Sequence, residues 1–350
     1  MRIGLYGLPT AGKTTILNQI DFAPVLIGSG LLHRIAPSFS ALSDGEQCMA
    51  RRRLAQSLQE KDSFLMDGHY AFGEKTVFTA EDGSLYDVFL YLYISPEILQ
   101  QRMELSPRNR KYSAFDIAWW QQSEIEGLRA WCHRSNKDFY VLDNPPRNSF
   151  TDVTEPISFI WAIMNGYSCA RFARECANEI LSSDSSPEIT LTDGDRTLIK
   201  EDSSSAVFQY STHLFDGNFY TGYQAWKQGK DFSAVDISPQ TSLPIQFSKA
   251  ILDRQDRHAY ILTSGHPEIW KQLSSQLRLP CFGGNQMCAD TKFFITKFLQ
   301  EAGRTVTAYG DSMNDYYMLK QAERGYLVTK PDGSISRSLN GKDLGGIKLV

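Results

Sequence analysis

The chain reads as an α/β protein built from two doubly wound parallel sheets in succession, the second carrying a small cap insertion. Three observations predict this. Short apolar runs rich in Val, Ile, Leu, Phe and Tyr alternate with longer stretches of helical spacing, the signature of a parallel sheet covered by helices. The alternation breaks at a Ser/Asp/Pro cluster, SSDSSPE from Ser182 to Glu188, and then resumes. The length, 350 residues, suits two domains of ordinary size.

In the first half the strand-like runs are MRIGLYG, APVLIGS, SFLMDG, DVFLYLYIS and DFYVLDN. Thr154 to Leu181 has helical spacing with no proline after Pro156, which predicts one connecting helix. The second alternation runs through ITLTDGD, HAYILTSG and TVTAYGD. These runs predict a first domain at 1–150, a connecting helix and linker at 151–186 with the boundary near residue 185, and a second domain at 187–350.

Composition narrows the classes. The net charge of −4 gives no general pull toward nucleic acid, though it leaves room for a local basic groove. The six cysteines are scattered without a zinc spacing, which predicts reduced thiols and a cytoplasmic setting. Residues 1–7 read as a strand entering a glycine loop rather than as a leader. No uncharged apolar stretch approaches the ~18 residues of a membrane span.

Gly7-Leu8-Pro9-Thr10-Ala11-Gly12-Lys13-Thr14 satisfies GxxxxGK[ST] in full, between a strand-like run and a helix-like one, KTTILNQI. Gly7 and Gly12 let backbone N–H groups turn toward phosphate oxygens, and the following helix start adds partial positive charge. Lys13 would reach the β/γ-phosphates of ATP, and Thr14, followed by Thr15, would hold Mg²⁺. Phosphoryl transfer needs positioned charge, which Arg102, Arg108 and Arg110 would supply; the same residues also fit a solvated face. Arg51-Arg52-Arg53 reads as surface charge. A hydroxyl acceptor needs a carboxylate base, and VLIGSGLLHR after the second run has none. The sequence thus leans toward a phosphate acceptor, with Asp44 and Asp67 as the other available bases.

GLPTAGKTT, VLIGSGLLHR, FLMDGHY and YLYISPEILQQRMELSPRNR, in that order, resemble the adenylate-kinase-like small nucleotide kinases over roughly residues 1–145. The resemblance implies that Arg34 touches the acceptor phosphate, that Asp67 lies near Mg²⁺ or the moving phosphate, and that Arg102, Arg108 and Arg110 act as lid arginines.

Asp193 and Asp195 sit two residues apart after the run ITLT. One such carboxylate can attack phosphorus while the other protonates the leaving oxygen. Asp311 and Asp315 in AYGDSMNDYYML would hold Mg²⁺, a hard cation that takes oxygen ligands. Ser264 (or its neighbour Thr263) and Lys292 would neutralise phosphate oxygens. These segments resemble the haloacid dehalogenase (HAD) superfamily, in its phosphoserine-phosphatase-like branch, over about 187–350. The resemblance implies Asp193 as nucleophile and Asp195 as acid/base. It implies Mg²⁺ on Asp193, the Asp195 backbone carbonyl and Asp311, with Asp315 supporting the metal or Lys292, and a cap at about 199–253. Phe215, Phe219, Tyr220, Tyr223 and Trp226 in that cap would either stack on substrate or form its own small core.

Together these readings predict a bifunctional, ATP-dependent kinase and Mg²⁺-dependent phosphomonoesterase acting on nucleotides or nucleic-acid ends. The domain order resembles that of bifunctional polynucleotide kinase-phosphatases. The rival reading is a phosphatase gated by a P-loop domain that senses nucleotide without transferring phosphate.

Overall fold

The computed structural model describes residues 1–143, 153–208, 219–233, 245–255 and 257–350, without the side chains of 206–208. The chain divides into two compact units, Met1–Tyr167 and Ser168–Val350. Both are α/β units with all-parallel main sheets.

The first unit runs β1 (Arg2–Tyr6), α1 (Lys13–Leu17), β2 (Val25–Leu26), α2 (Gly28–Ile35), α3 (Asp44–Leu58), β3 (Phe64–Asp67), β4 (Ala71–Phe72), β5 (Lys75–Thr76), α4 (Ala80–Leu85), β6 (Val88–Tyr93), α5 (Pro96–Leu105), α6 (Ile117–Ser135), β7 (Asp138–Asp143) and α7 (Thr154–Met164). Its sheet has the order β2-β3-β1-β6-β7, with β4 and β5 as a separate antiparallel pair. The central strands are buried on both faces, so they read as continuous apolar runs rather than alternating ones: VFLYLY of β6 is buried through its first five residues. α1 is shorter than the sequence predicts. Only Lys13–Leu17 is helical, and the chain then tightens, with Gln19 N–H bonding to Ile16 O and Ile20 N–H to Leu17 O.

The single helix expected from Thr154 to Leu181 is two helices. Gly166 lies at φ 98, its N–H bonds to Ile163 O, and Tyr167 N–H bonds to Ala162 O. That pair of bonds is a Schellman closure, which the left-handed glycine permits. Ser168 then caps the next helix, its Oγ accepting Arg171 N–H at 3.1 Å.

The second unit runs α8 (Cys169–Ser183), β8 (Glu188–Thr192), α9 (Ser203–Phe208), α10 (Gly222–Ser233), α11 (Lys249–Leu252), β9 (Ala259–Thr263), α12 (Pro267–Leu277), β10 (Cys281–Gly283), α13 (Ala289–Glu301), β11 (Thr305–Gly310), α14 (Met313–Gln321), β12 (Arg324–Leu327) and β13 (Ile347–Leu349). The sheet order is β10-β9-β8-β11-β12-β13. Ala170, Ala173, Cys176, Ala177 and Ile180 of α8 share a core with Phe294, Ile295 and Phe298 of α13. The segment after α8 is a pinned turn. Asp184 accepts Ser186 N–H at 2.8 Å and lies 2.7 Å from His258 Nδ1, and Arg304 donates to Ser185 O. Its Ser/Asp/Pro composition therefore serves hydrogen bonding inside the second unit. Among the described residues, no helix is long and apolar enough to cross a membrane.

A fragment beginning at Ser168 should fold cooperatively, whereas one beginning at Pro187 should not. The shorter piece loses the α8 face, where Ile180 alone is worth about 2 kcal/mol of burial. It also bares the matching face of α13, in a domain whose whole stability is on the order of 5–15 kcal/mol. Urea denaturation of both fragments checks this; equal midpoints would place α8 outside the folding unit.

Candidate active sites

In the first unit, β1 lies between β3 and β6, and the chain leaves it at Gly7. Gly7 (φ 144), Thr10 (φ 65) and Gly12 (φ 103) take left-handed conformations of the kind that bring successive N–H groups around an anion. A Cβ on Gly7 would meet Leu92 O at 2.9 Å. Lys13 is 5% exposed, and its ammonium donates to the carbonyls of Gly7 and Leu8. Burial lowers its pKa to about 8, against the charges of Asp67 and Glu124. Thr14 and Thr15 are exposed. With α1 only five residues long, the dipole expected to aid this loop is that of little more than one turn.

Parallel pairing of β1 with β3 sets Leu5 beside Asp67, so Asp67 and the loop share the carboxyl edge of the sheet. Asp67 Oδ1 accepts Gly28 N–H at 2.6 Å, which ties the start of α2 to the end of β3. Of the expected arginines, Arg34 is exposed on the last turn of α2, and Arg108 and Arg110 are exposed beyond α5. Arg110 Nε donates to Glu104 O at 3.2 Å. Arg102 is half-buried on α5, where burial lowers its pKa. Asp44 is exposed and paired with Lys75.

Two residues here escaped the sequence reading, and a third departs from it. Glu124 on α6 is fully buried; its Oε1 accepts Ala71 N–H at 2.8 Å and Trp120 Nε1–H at 3.3 Å. Burial raises its pKa to about 7, against Lys13 and its hydrogen-bond donors. Its signal was an acid on the apolar stripe of α6, in step with Ile117, Trp120, Ile125 and Leu128. His69 follows β3, and burial first, then the charges of Lys13, Arg51 and Arg108, hold its imidazole well below the ordinary range. Arg51 departs from the surface role expected of the arginine run: it is half-buried, with its guanidinium 5.2 Å from the Phe39 ring centre.

In the second unit, three adjacent strands end at one edge. β8 delivers Asp193, β9 delivers Ser264 and β11 delivers Asp311. α13 brings in Lys292, 0% exposed, whose Nζ lies 2.6 Å from Asp193 Oδ1 and 2.7 Å from Asp315 Oδ1. The other Asp315 oxygen accepts the N–H groups of Asp311 and Ser312, closing a capping box at the start of α14. Both oxygens of Asp315 thus accept hydrogen bonds, Oδ1 from Lys292 and Oδ2 from the start of α14.

Carboxylate oxygens of Asp193, Asp311 and Asp315 all lie within 4.8 Å of one another. One ammonium among three carboxylates leaves excess negative charge in a buried place. Burial, then Asp315, raises Asp193 well above the carboxylate range and Asp311 to about 7. Lys292 is raised despite its burial, by Asp193 and Asp315. An all-oxygen donor set that lacks positive charge fits a hard divalent cation such as Mg²⁺. Asp193, Asp311 and Asp315 each have a carboxylate oxygen to offer it.

Asp195 Oδ1 accepts Ser203 N–H at 2.8 Å from the start of α9. Burial and then Asp202 raise its pKa to about 6. Ser264 Oγ donates to Met287 O at 2.8 Å and receives Asn314 Nδ2–H at 2.9 Å, so Asn314 joins the edge unforeseen. Thr263 is buried, its Oγ1 accepting Gly265 N–H. Of the aromatics expected in a cap, Phe215 lies outside the described residues. Phe219, Tyr220, Tyr223 and Trp226 are all buried, and Tyr220 belongs to the main core with Ile189 and Leu191. An open cleft of about 490 Å³ beside α12 and β10, lined by Trp270, Lys271, Arg278 and Cys281, holds none of these aspartates.

No protein-family model matches the chain. No curated protein matches it either. Among solved structures it is similar to a shikimate kinase from Bacteroides thetaiotaomicron, at 14% identity over 47% of this chain and 98% of that one, with a TM-score of 0.33. It is similar to a HAD-family hydrolase from Salmonella enterica subsp. enterica serovar Typhi, at 16% identity over 47% of this chain and 67% of that one, TM-score 0.34. A phosphoserine phosphatase, solved as a phospho-aspartyl intermediate analogue, is 15% identical over 41% of this chain and 88% of that one, TM-score 0.30.

If the cluster takes Mg²⁺, the ion should stabilise the fold. At about a hundred times its dissociation constant the gain is about 2.7 kcal/mol, or roughly 5 °C or more in melting temperature for a unit of this size. Asp311→Asn should raise the metal-free melting temperature by removing uncompensated charge, and should abolish the Mg²⁺ response. Thermal melts in MgCl₂ and in EDTA read both; a wild-type melt indifferent to Mg²⁺ would sink the assignment.

Proposed function

We propose that the chain is a bifunctional phosphoryl-transfer enzyme acting on nucleotides or nucleic-acid ends. The Ser168–Val350 unit removes phosphate from a monoester, and the Met1–Tyr167 unit transfers phosphate from ATP. The observation that carries the first half is the buried Lys292 held between Asp193 and Asp315, with Asp311 alongside.

In this reading an Asp193 oxygen bonds to phosphorus as the bond to the leaving oxygen breaks, and Asp195 gives that oxygen its proton. Water, deprotonated by Asp195, then attacks the phosphoaspartate and returns Asp193 and inorganic phosphate. Lys292 orients Asp193, works against the burial and the Asp315 charge that raise its pKa, and offsets charge on the entering phosphate. Ser264 turns its hydroxyl from Met287 O toward a phosphate oxygen. Asp193, Asp311 and the Asp195 carbonyl would hold Mg²⁺, which would supply the further positive charge that lets an anion approach an anion.

In the kinase half, Lys13 exchanges the carbonyls of Gly7 and Leu8 for ATP phosphates. Gly7, Gly12, Thr14 and Thr15 complete the nucleotide site, and Asp67 stands beside the transferred group. Arg34, Arg102, Arg108 and Arg110 meet the acceptor.

Asp193→Asn should lower turnover of a generic phosphomonoester by at least ~10³-fold while leaving nucleotide binding intact. A mutant near the wild-type rate would remove the nucleophile assignment.

Lys13→Ala should abolish transfer from ATP and spare the phosphatase. ATP labelled in its terminal phosphate separates the readings for this half: label on a nucleotide or a 5′-hydroxyl oligonucleotide means kinase. Label appearing only as free phosphate, together with loss of phosphatase activity in the folded Lys13→Ala protein, would mean a nucleotide-gated phosphatase.

A further inference from the structure

The indole of Trp270, on the first turns of α12, fills a slot that two glycines leave open. Gly194 lies between Asp193 and Asp195, Gly265 follows Ser264, and a Cβ on either would overlap the indole. Neither glycine has positive φ, so the ring and not the backbone demands them. Trp270 is 1% exposed, packed with Leu198, Ile199, Ile261 and Ile269.

One atom of this ring is not apolar. Trp270 Nε1 is buried with no well-aligned acceptor among the described residues, although its N–H already acts on the Asp195 carboxyl and helps lower its pKa. A buried N–H in that condition is uncommon and calls for an explanation. The bare face of Gly265 supplies one. The point where its Cβ would stand lies 2.7 Å from Asp195 Oδ2 and is also in contact with Trp270 Nε1, so donor and carboxyl oxygen converge there. The other oxygen, Oδ1, is already held by Ser203 N–H at 2.8 Å.

We infer that Trp270 is a positioning residue for the phosphatase half: its indole N–H donates to Asp195 Oδ2 and, with Ser203 N–H on Oδ1, fixes the carboxyl group that protonates the leaving oxygen. The inference rests on the phosphatase reading above. As the phosphorus–oxygen bond breaks and the bond to Asp193 forms, the proton of Asp195 passes to the leaving oxygen. The alcohol departs neutral and Asp195 is left as an anion. Two N–H donors bind that anion more strongly than they bind the acid, so their effect grows as the proton leaves. Each carboxyl oxygen has room for a second contact, so the donors do not block the transfer.

The need for this device depends on the leaving group. An alkoxide cannot leave without a proton, whereas 4-nitrophenolate can. Trp270→Phe removes the N–H together with one of the two fused rings that face Gly194 and Gly265, so the contrast between leaving groups, which lost packing would not produce, carries the test. The substitution should lower kcat on a primary alkyl phosphate by ~10-fold, within the ~10²–10⁴-fold ascribed to general acid catalysis, and leave kcat on 4-nitrophenyl phosphate within about twofold. In the Asp195→Asn background the same change should cost nothing further. Equal losses on both substrates, or no loss on either, would overturn the inference and leave the phosphatase reading standing. A wild-type protein that hydrolyses neither substrate would sink both. A second measurement needs no Trp270 variant: among the indole N–H resonances of the six tryptophans, Trp270's should shift on Asp195→Asn. An unmoved resonance overturns the contact.

Discussion

A fully buried ammonium remains charged only where anions surround it, and the carboxyl edge of the second sheet is organised around that requirement. Lys292 has no exposed surface, and Asp193 and Asp315 both reach it. Breaking such a contact leaves a charge stranded, which costs about 3–5 kcal/mol. The pairing therefore fixes more than one side chain. It sets α13 against β8 and holds α14 through the capping box that Asp315 closes. The other oxygen of Asp193 accepts Thr197 Oγ1–H at 3.4 Å, so Asp193 is held at both oxygens, tightly at the lysine and loosely at the threonine.

The first unit treats its lysine differently. Lys13 rests on loop carbonyls, with the nearest anions, Asp67 and Glu124, acting through space. Carbonyl contacts are easier to exchange than ion pairs, so this ammonium is freer than Lys292 to turn to another acceptor. Glu124 also receives Ala71 N–H, so it links α6 to the segment after β3 that carries His69. Charge under the glycine loop and the placement of that segment thus meet in one residue.

Much of this was legible in the chain. The strand runs, the GxxxxGK[ST] loop and the spacing of Asp193 with Asp195 depend on local pattern, and they fall where the pattern put them. The break between α7 and α8 was legible too, in Asn165-Gly166-Tyr167-Ser168: a glycine suited to ending one helix stands two residues before a serine suited to starting the next. Continuous helical spacing on either side concealed it. What the chain could not display was partnership across long separations. Glu124 reaches Ala71 over 53 residues, and Ser264 meets Asn314 over 50. Trp270 and its two glycines look like ordinary core and turn residues until the fold brings them together. Arg51 shares a run with two exposed neighbours, and only helix phase turns it inward.

The joint at Gly166–Ser168 closes one helix and opens another with hydrogen bonds that each stay on their own side: Gly166 and Tyr167 bond backward to Ile163 and Ala162, and Ser168 bonds forward to Arg171 and Phe172. A cut between Tyr167 and Ser168 would therefore leave each piece with a finished helix end: the Schellman closure stays with the first and the serine cap with the second.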